Sequence, residues 1–262
     1  MTSILRQILA HKRGEVEAAM LRISPEDLSN QALQAKGTRG FRDALLRSKH
    51  NPSLIAEVKA SSPSQGSIRP NLDPVAVATS YRRAGAECLS ILTDIRYFGG
   101  SPENLRKVRK AVDLPILRKD FIFDEYQLDE AIVWGADCIL LIVAMLDPET
   151  LTDLYQKAKL RGLDVLVEIH DEQEAEIAKN LNPDLVGINN RNLHDFTTDL
   201  GTTARLAPLF PEALIVSESA LGDPAAVERV RNDGARAVLI GTAFCAEPDV
   251  EAAVRRIMAR GK

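Results

Sequence analysis

The sequence predicts an α/β protein folded as a closed (β/α)8 barrel with an N-terminal helical extension. From residue 54 onward, short apolar runs alternate with amphipathic helical stretches, which indicates parallel strands covered by helices on their outer face. Eight such units recur at spacings of roughly 20 to 35 residues, which favours a closed barrel. An open doubly wound sheet more often carries a glycine-rich dinucleotide turn after its first strand, and none is present here.

The eight apolar runs predict eight strands. In chain order they are LIAEV (54–58), CLSILT (88–93), LPILR (114–118), CILLIV (138–143), DVLVEI (164–169), LVGIN (185–189), LIVSES (214–219) and AVLIG (237–241). In a barrel of parallel strands, the side chains at the carboxyl ends meet at one mouth. Residues at these strand ends are therefore the first candidates for a functional site.

The helical stretches between the strands carry start and stop signals. An Asp or Ser followed by Pro predicts an N-cap with Pro at the first helical position, as at Asp73-Pro74, Ser101-Pro102, Asp147-Pro148 and Asp223-Pro224. A glycine just after a helical stretch predicts a left-handed C-cap, as at Gly85, Gly135, Gly162 and Gly234. These signals agree with the alternation of strands and helices.

The first 50 residues lie outside the repeat. Ile4, Leu5, Ile8 and Leu9 share one face of a predicted amphipathic helix, and a further helix is predicted around Phe41 to Arg47. We therefore expect residues 1–262 to form a single barrel domain, with residues 1–50 as a helical extension packed on it.

Composition excludes several classes of function. The 262 residues carry a net charge of −4, which gives no electrostatic reason to bind nucleic acid or an anionic membrane. No apolar run reaches the roughly 18 residues of a membrane span, and the N-terminus lacks the features of a secretory signal. We expect a cytoplasmic protein with buried, reduced thiols at Cys88, Cys138 and Cys245. His11, His50, His170 and His194 lack metal-ligand spacing and are interpreted as surface or loop groups, so no metal is predicted.

The strand ends bring ionisable groups together. In chain order these positions are Glu57, Lys59, Thr93, Lys119, Glu168, Asn189, Glu218, Ser219 and Gly241. Glu168 lies between Val167 and Ile169, and burying a carboxylate without a partner is costly. A structural ion pair is the alternative interpretation of Glu168, and a solvated surface group is that of Lys119. The convergence of two lysines and three carboxylates favours a catalytic site.

Two loops at the strand ends predict a phosphate site. SESAL (217–221) and IGTAF (240–244) follow the seventh and eighth strands, where this fold often binds phosphate through backbone N–H groups. Lys59, Ser62 and Ser64 follow the first strand and are possible further donors. An ordinary tight turn remains the alternative for each small-residue loop.

With these residues in place, the sequence resembles the indole-3-glycerol phosphate synthase family of tryptophan biosynthesis. The similarity covers nearly the whole chain. It rests on ILRQILAHKRGEV, FRDAL, IAEVKASSPSQG, SILTDIRYFGGS, PILRKDFIFDEYQ, GADCILLIV, LVEIHDEQE, GINNRNL, SES and LIGTAF. The combination of IAEVKxxSPSxG with LRKDFIxDxYQ is highly specific. The resemblance implies a TIM barrel without a cofactor. It also implies a carbon–carbon lyase that converts 1-(2-carboxyphenylamino)-1-deoxyribulose 5-phosphate to indole-3-glycerol phosphate, with loss of CO2 and water.

The resemblance also implies residue roles. Lys119 resembles the general acid of ring closure, Glu168 resembles the partner carboxylate for dehydration, and Lys59 resembles a group that contacts the substrate carboxylate or phosphate. Three further sets are carried over: an orienting set (Glu57, Asn189), a mouth and aromatic-pocket set (Ser62, Phe98, Phe121, Leu140, Arg191, Leu193), and a wall and phosphate set (Glu218, Ser219, Ala220, Gly241, Thr242). Glu218 is also counted among the catalytic residues, and Lys59 and Ala220 among the phosphate-binding ones.

One position departs from the family pattern. The family usually has SESGI after the seventh strand, and this chain has SESAL, with Ala220 in place of the glycine. Because a phosphate loop can require the conformation of glycine or its close approach, we expect an active enzyme with weakened phosphate binding.

Two other functions compete with the synthase. A related barrel such as phosphoribosylanthranilate isomerase works with a Cys/Asp pair, and no cysteine here follows a strand in the right place. A non-catalytic relative that binds a sugar phosphate or serves as a partner subunit is supported only by Ala220. The expected partner is a small phosphorylated substrate. The protein is expected to be a monomer, with a complex with other tryptophan-pathway enzymes left open.

Overall fold

The computed structural model describes residues 3–62, 66–193 and 195–259. Eight parallel strands close into a barrel in which β1 pairs with both β4 and β10. The barrel strands are β1 (Ser53–Val58), β4 (Cys88–Leu92), β5 (Ile116–Lys119), β6 (Cys138–Ile142), β7 (Asp164–Ile169), β8 (Leu185–Asn189), β9 (Leu214–Glu218) and β10 (Ala237–Ile240). The predicted (β/α)8 barrel is therefore confirmed. A short hairpin follows β1, formed by β2 (Ser61–Ser62) and β3 (Gly66–Ser67).

The predicted strand ends differ from the observed ones by two residues at most. The third barrel strand begins at Ile116 rather than Leu114, because Pro115 has no N–H to donate to a neighbouring strand. The seventh ends at Glu218, because Ser219 has a φ of 68° and leaves the extended conformation. Both ends matter for function, since Lys119 is the last residue of β5 and Glu218 the last of β9.

Helices cover the outer face of the barrel and both of its ends. They are α1 (Ser3–Arg22), α2 (Pro25–Leu33), α3 (Phe41–Leu46), α4 (Pro74–Arg83), α5 (Pro102–Ala111), α6 (Tyr126–Trp134), α7 (Pro148–Leu160), α8 (Glu172–Lys179), α9 (Gly201–Leu206), α10 (Pro224–Asn232), α11 (Thr242–Cys245) and α12 (Val250–Ile257). Single 3₁₀ turns lie at Val143–Met145 and Ala207–Leu209.

The predicted helix signals are confirmed. The side chains of Asp73, Ser101, Asp147 and Asp223 each accept a backbone N–H from the first turn of the helix that follows. The four predicted C-cap glycines have φ values between 76° and 108°, in the left-handed region that glycine adopts without strain. Helix α2 was not predicted, although Ser24 and Pro25 give it the same start signal as the others.

The helices of the first 50 residues contact opposite ends of the barrel. At the amino ends of the strands, Phe41 and Leu45 are buried against Ile55 and Cys88. Arg39 donates to the carbonyls of Val112 and Leu114 there.

At the carboxyl ends of the strands, Leu5 and Ile8 of α1 are buried in the same apolar cluster as Phe121 and Leu140. The apolar stripe predicted for the first helix therefore packs on the barrel mouth. This contact sets the depth of the cavity described below.

The barrel wall and the surrounding helices share one continuous apolar core. Its members include residues of every barrel strand, although not the charged end of β5. They also include the inner faces of α4, α5, α7, α10 and α12. Cys88, Cys138 and Cys245 are buried and free of disulfides, as predicted. In the ranges that the structure describes, no helix is long and apolar enough to cross a membrane.

Candidate active site

A cavity of about 450 Å³ opens at the carboxyl ends of the strands. Every barrel strand or the loop that follows it contributes to its lining, as the fold predicts. All of the candidate site residues line it: Glu57, Lys59, Ser62, Phe98, Lys119, Phe121, Leu140, Glu168, Asn189, Arg191, Leu193, Glu218, Ser219, Ala220, Gly241 and Thr242. Ser64 lies outside the described residues.

Thr93 is the strand-end residue that turns away from the cavity. Its hydroxyl donates to Asp120 Oδ2 at 2.6 Å, and its side chain lines a separate space beneath α1. The expectation that Thr93 joins the mouth was therefore wrong: Leu92 faces the cavity, and alternation along the chain turns the next residue to the outer side.

Lys119 is held between two carboxylates. Its Nζ lies 2.6 Å from Glu218 Oε2 and 3.1 Å from Glu168 Oε2, and its side chain is 14% exposed. Burial alone would lower the pKa of Lys119, but Glu218, Glu168 and Glu57 outweigh it and raise that pKa above its usual range. Lys119 is therefore an ammonium group at neutral pH, with its charge facing the cavity.

A second ammonium–carboxylate pair lies beside the first. Lys59 Nζ is 2.6 Å from Glu57 Oε1, and Ser90 donates a hydrogen bond to the other oxygen of Glu57 at 3.3 Å. Burial would raise the pKa of Glu57, but the charges of Lys59 and Lys119 outweigh it and lower that pKa. Glu57 is thus ionised and links the two lysines electrostatically.

The pKa values of the two carboxylates around Lys119 are shifted in opposite directions. Burial raises the pKa of both, but Lys119 and His170 reverse the effect at Glu168 and bring its pKa below the usual range. At Glu218, burial together with repulsion from Glu168 and Glu57 outweighs Lys119 and raises the pKa. Glu218 Oε1 is buried without a hydrogen-bond partner among the described residues. Two carboxylates that share one cation commonly titrate apart in this way.

Two glycines make room for these carboxylates. A Cβ on Gly241 would lie 2.7 Å from Glu57 Oε1, and one on Gly187 would lie 2.5 Å from Glu218 Oε1. Contacts this short do not occur for real Cβ atoms, so any side chain at either position would displace a site carboxylate. The missing side chains on β8 and after β10 are therefore part of the site.

His170 was interpreted as a surface or loop group, and it does follow β7 in a loop, but the surface part of that interpretation was wrong. Its side chain is only 7% exposed and contacts Glu168 and Glu174. Its Nε2 lies 3.3 Å from Glu168 Oε1, which is an ion-pair distance without hydrogen-bond alignment. The period of two along a strand was the available signal, since it puts His170 on the same side as Glu168. His194 lies outside the described residues.

The opposite wall of the cavity combines a polar turn with an apolar surface. Asn189 Oδ1 accepts hydrogen bonds from the Ser219 hydroxyl at 2.8 Å and from the Arg191 N–H at 3.1 Å. The rings of Phe98 and Phe121 lie 5.9 Å apart, a typical distance for an aromatic pair. Together with Leu140 they form a surface to which a flat aryl group could bind.

Several lining residues were not predicted. They are Ile4, Leu5 and Ile8 of α1, Leu92, Asp120, Ile142, Phe196, Leu221, Gly222, Leu239, Ile240 and Ala243. The apolar stripe of α1 was recognised in the sequence, but its contact with the mouth joins positions more than a hundred residues apart and has no local signal.

The loop after β9 has an unusual backbone. Ser219 has a φ of 68° and Ala220 a φ of 59°, so two successive residues with side chains occupy the left-handed region. Gly241 and Thr242 lie at the start of α11, directly after the neighbouring strand β10. In the part of the chain that the structure describes, no cluster of three or more His, Cys, Asp or Glu side chains is arranged to hold a metal ion.

Comparison with known proteins agrees with this geometry. The family model for indole-3-glycerol phosphate synthase matches residues 5–257. An indole-3-glycerol phosphate synthase of Geobacillus kaustophilus (strain HTA426) is 48% identical over 256 residues, which are 97% of this chain and 96% of that protein. One of Neisseria meningitidis serogroup B is 45% identical over 260 residues, or 98% of this chain and 100% of that protein. Among solved structures, a 3-hexulose-6-phosphate synthase shares the fold, with a TM-score of 0.64 at 16% identity over 79% of this chain and 99% of that one.

Proposed function

Because this chain belongs to the indole-3-glycerol phosphate synthase family, we propose that the cavity at the barrel mouth is the active site of this carboxy-lyase. The enzyme acts in tryptophan biosynthesis. It converts 1-(2-carboxyphenylamino)-1-deoxyribulose 5-phosphate to indole-3-glycerol phosphate, with loss of CO2 and water. The observation that carries the residue assignment is Lys119 held between Glu168 and Glu218 on the cavity floor.

Ring closure needs an acid at the ketone oxygen. As the electron-rich ring carbon attacks the ketone, negative charge develops on that oxygen, and a fixed ammonium stabilises it. Lys119 supplies the ammonium. Its raised pKa does not prevent proton transfer, because an alkoxide is more basic than a lysine amine. Attack at the carbon that bears the carboxylate then allows CO2 to leave, since its loss restores the aromatic ring.

Dehydration needs a second acid and a base. The hydroxyl made in ring closure leaves as water and takes up a proton, while the neighbouring methylene carbon loses one. Lys59 is proposed to act on the hydroxyl, and Glu57 holds its Nζ at 2.6 Å. Glu168, which stays ionised, is the base for the carbon-bound proton. In total, two protons are added to oxygen and one is removed from carbon. Each turnover therefore takes up one proton from solvent when the substrate carboxyl group is ionised.

The remaining residues position the substrate. The pair of Phe98 and Phe121, together with Leu140 and Leu193, is proposed to hold the aryl ring, so that its carbon meets the ketone in a reactive orientation. Arg191, Ser62 and Asn189 contact the substrate carboxylate and hydroxyls. The phosphate is bound by Lys59 and by the loops of Ser219, Ala220, Gly241 and Thr242, which lie together on the cavity wall.

The test is formation of the fluorescent indole product from purified protein and substrate. We expect turnover by the parent chain and a fall in kcat of several orders of magnitude for Lys119→Ala, with an unchanged circular dichroism spectrum. Lys179→Ala is the matched control, because Lys179 pairs with Glu176 on the helical surface. Near-normal turnover by Lys119→Ala would refute its assignment as the acid.

The isomerase alternative is not supported. It needs a cysteine at the mouth, and none of the three cysteines lines the cavity. Burial also raises the pKa of the Cys88 and Cys138 thiols, which makes them poor acid–base groups near neutral pH.

The organisation of the working enzyme is also a proposal. We infer that residues 1–262 form a single domain, with residues 1–50 as an extension. We also infer that the enzyme works in the cytoplasm as a monomer without a cofactor. Light scattering on the eluting protein tests the monomer. Co-elution with the other enzymes of tryptophan biosynthesis tests for a complex.

A further inference from the structure

The position of His170 is not explained by the proposed mechanism. The residue directly follows Ile169 at the end of β7, two positions after Glu168, and its imidazole lies between two carboxylates. Nδ1 is 2.9 Å from Glu174 Oε2, and Nε2 is 3.3 Å from Glu168 Oε1. The ring thus links the cavity floor to the first turn of α8.

Glu174 holds the imidazole through two contacts. Its Oε2 accepts the backbone N–H of His170 at 2.9 Å as well as Nδ1 of the ring. Glu174 is itself fixed, because its own N–H is bound by Asp171, the N-cap of α8, at 2.9 Å. An acidic residue at this place in a helix usually satisfies backbone N–H groups. Here it also clamps a side chain that faces the active site.

The two flanking carboxylates favour a charged ring. A neutral imidazole has one donor and one acceptor nitrogen, so one of its nitrogens would present a lone pair to a carboxylate oxygen. Only the imidazolium carries an N–H on both nitrogens, which suits the hydrogen bond of Nδ1 to Glu174 and the ion-pair contact of Nε2 with Glu168. Burial lowers the pKa of His170, but Glu168 and Glu174 outweigh it and raise that pKa to about 10. The charged groups that face the ring are Glu168 from β7 and Glu174 from α8, and the contacts of Glu168 extend to Lys119 of β5.

This positive charge distinguishes the two carboxylates around Lys119. Glu168 and Glu218 share one ammonium, with Glu57 nearby as a third acid, so one of the pair is favoured to take up a proton. The imidazole contacts Glu168 and not Glu218. We propose that His170, clamped by Glu174, is a positioning residue that keeps Glu168 charged and leaves Glu218 as the carboxyl that takes up a proton.

The inference rests on the proposed function, in which Glu168 is the base that removes the carbon-bound proton. A base must be ionised when dehydration begins, and a neighbouring carboxylate on the same lysine works against that. His170 removes this conflict without touching the substrate. Loss of His170 then matters most at low pH, where Glu168 competes with Glu218 for the proton.

The test is the pH profile of kcat for His170→Asn. We expect the acid limb to move up by about one pH unit, so that the loss approaches tenfold at pH values on that limb and is small at pH 8.5. Glu174→Gln should move the limb in the same direction by less, and His170→Lys, which restores a positive charge, should move it back. His50→Asn is the control, because His50 is an exposed imidazole that pairs with Glu87 at 2.8 Å. A loss that is uniform across pH would overturn the proposal, since a merely structural role predicts that result.

A second measurement needs no turnover. In protein labelled with ¹⁵N-histidine, the His170 resonances are identified by their absence from His170→Asn, or by their shift in Glu174→Gln if the first variant does not fold. We expect imidazolium shifts at pH 8 in the parent chain. An imidazole that titrates near the usual value of about 6.5 would overturn the proposal whether or not the enzyme turns over. Failure of the proposed function would instead appear as absence of indole product from the parent chain.

Discussion

Arg118 and Lys119 are neighbours on β5, yet they belong to two different groups of charges. Lys119 faces the cavity with Glu57, Lys59, Glu168 and Glu218, a set called here the mouth cluster. Arg118 points to the other side of the strand, toward α1 and α6, where the flank cluster consists of Lys12, Asp94, Arg118, Asp120 and Glu130. Alternation of side chains along a strand separates the two groups.

Asp120 is fully bonded at the centre of the flank cluster. Each of its oxygens has two partners: Lys12 at 3.1 Å and the Phe121 N–H at 2.9 Å on one, Thr93 at 2.6 Å and Arg118 at 3.0 Å on the other. Arg118 also donates to the Gln127 carbonyl and stacks on Trp134, 4.0 Å from the ring centroid. Arg118 Nε and Asp94 Oδ2 lack a hydrogen-bond partner among the described residues, but both groups are ion-paired, to Asp120 and to Lys12. Charges paired in this way can lie in an apolar interior.

The mouth cluster instead faces the cavity. Glu218 keeps an oxygen without a hydrogen-bond partner, and both lysines border open space. The difference explains why a charged triplet stands between apolar runs in this sequence. Arg118 and Asp120 fix the strand end in place, and Lys119 between them keeps its bonding capacity for a ligand.

The largest effects are expected when Lys119 and Arg118 are each replaced by methionine. Lys119→Met should lower kcat by about 10³- to 10⁴-fold with little loss of stability. Arg118→Met should lower the free energy of unfolding by about 3–5 kcal/mol, because it removes the ion-pair partner of Glu130 and one of the four contacts of Asp120, while kcat of the folded fraction stays near that of the parent. Urea unfolding and product fluorescence measure the two effects. Equal losses of kcat would contradict the separation of the clusters.

A smaller effect is expected at the other cation of the flank cluster. Lys12→Met should lower the free energy of unfolding by about 2–3 kcal/mol, because Asp94 loses its ion pair while Asp120 keeps three other contacts. Lys36→Met, at an exposed lysine between α2 and α3, serves as the control in the same urea titration. If Lys12→Met unfolds like the control, the bond between α1 and the barrel is weaker than the geometry indicates.

Glu218→Gln should lower kcat and raise the free energy of unfolding. The folded-state pKa of Glu218 is raised, so Glu218 favours folding at low pH and this contribution is lost as pH rises through the raised pKa. Glutamine removes that dependence. We therefore expect Glu218→Gln to be more stable than the parent by about 1–2 kcal/mol at pH 8 and by less at pH 5, with a lower kcat. A stability gain that does not grow with pH would show that Glu218 is ionised as usual.

The smallest expected effect concerns the phosphate loop. Ala220→Gly should stabilise the protein by about 0.5–1 kcal/mol, since Ala220 has a φ of 59°, and should lower KM several-fold. Asn182→Gly is the matched control: Asn182 has a φ of 47° and lies far from the cavity lining, so stability can rise while KM stays constant. An unchanged KM for Ala220→Gly would count against weakened phosphate binding in this chain.

The fold could be predicted because its signals are local. Alternation of apolar runs with capped helices sets each strand within a few residues, and in this fold the strand ends share one mouth. Glu57, Lys119 and Glu168 could therefore be assigned to one site from the sequence. The contact of Lys12 with Asp120 depends on a pairing between distant segments, which leaves no periodic trace. The directions of Thr93 and His170 instead follow the alternation of side chains, which continues one residue past the end of β4 and of β7. The roles assigned to the mouth residues stay predictions until the variants are measured.

The close approach of Gly187 and Gly241 to the carboxylates restricts how this barrel can change. A library that varies either glycine while Glu218 and Glu57 stay in place will return mainly inactive or poorly folded clones. Shortening an acid to serine first would open volume at the facing strand. To introduce a new activity on this scaffold, Glu57 or Glu218 must therefore be replaced before Gly241 or Gly187 can be varied.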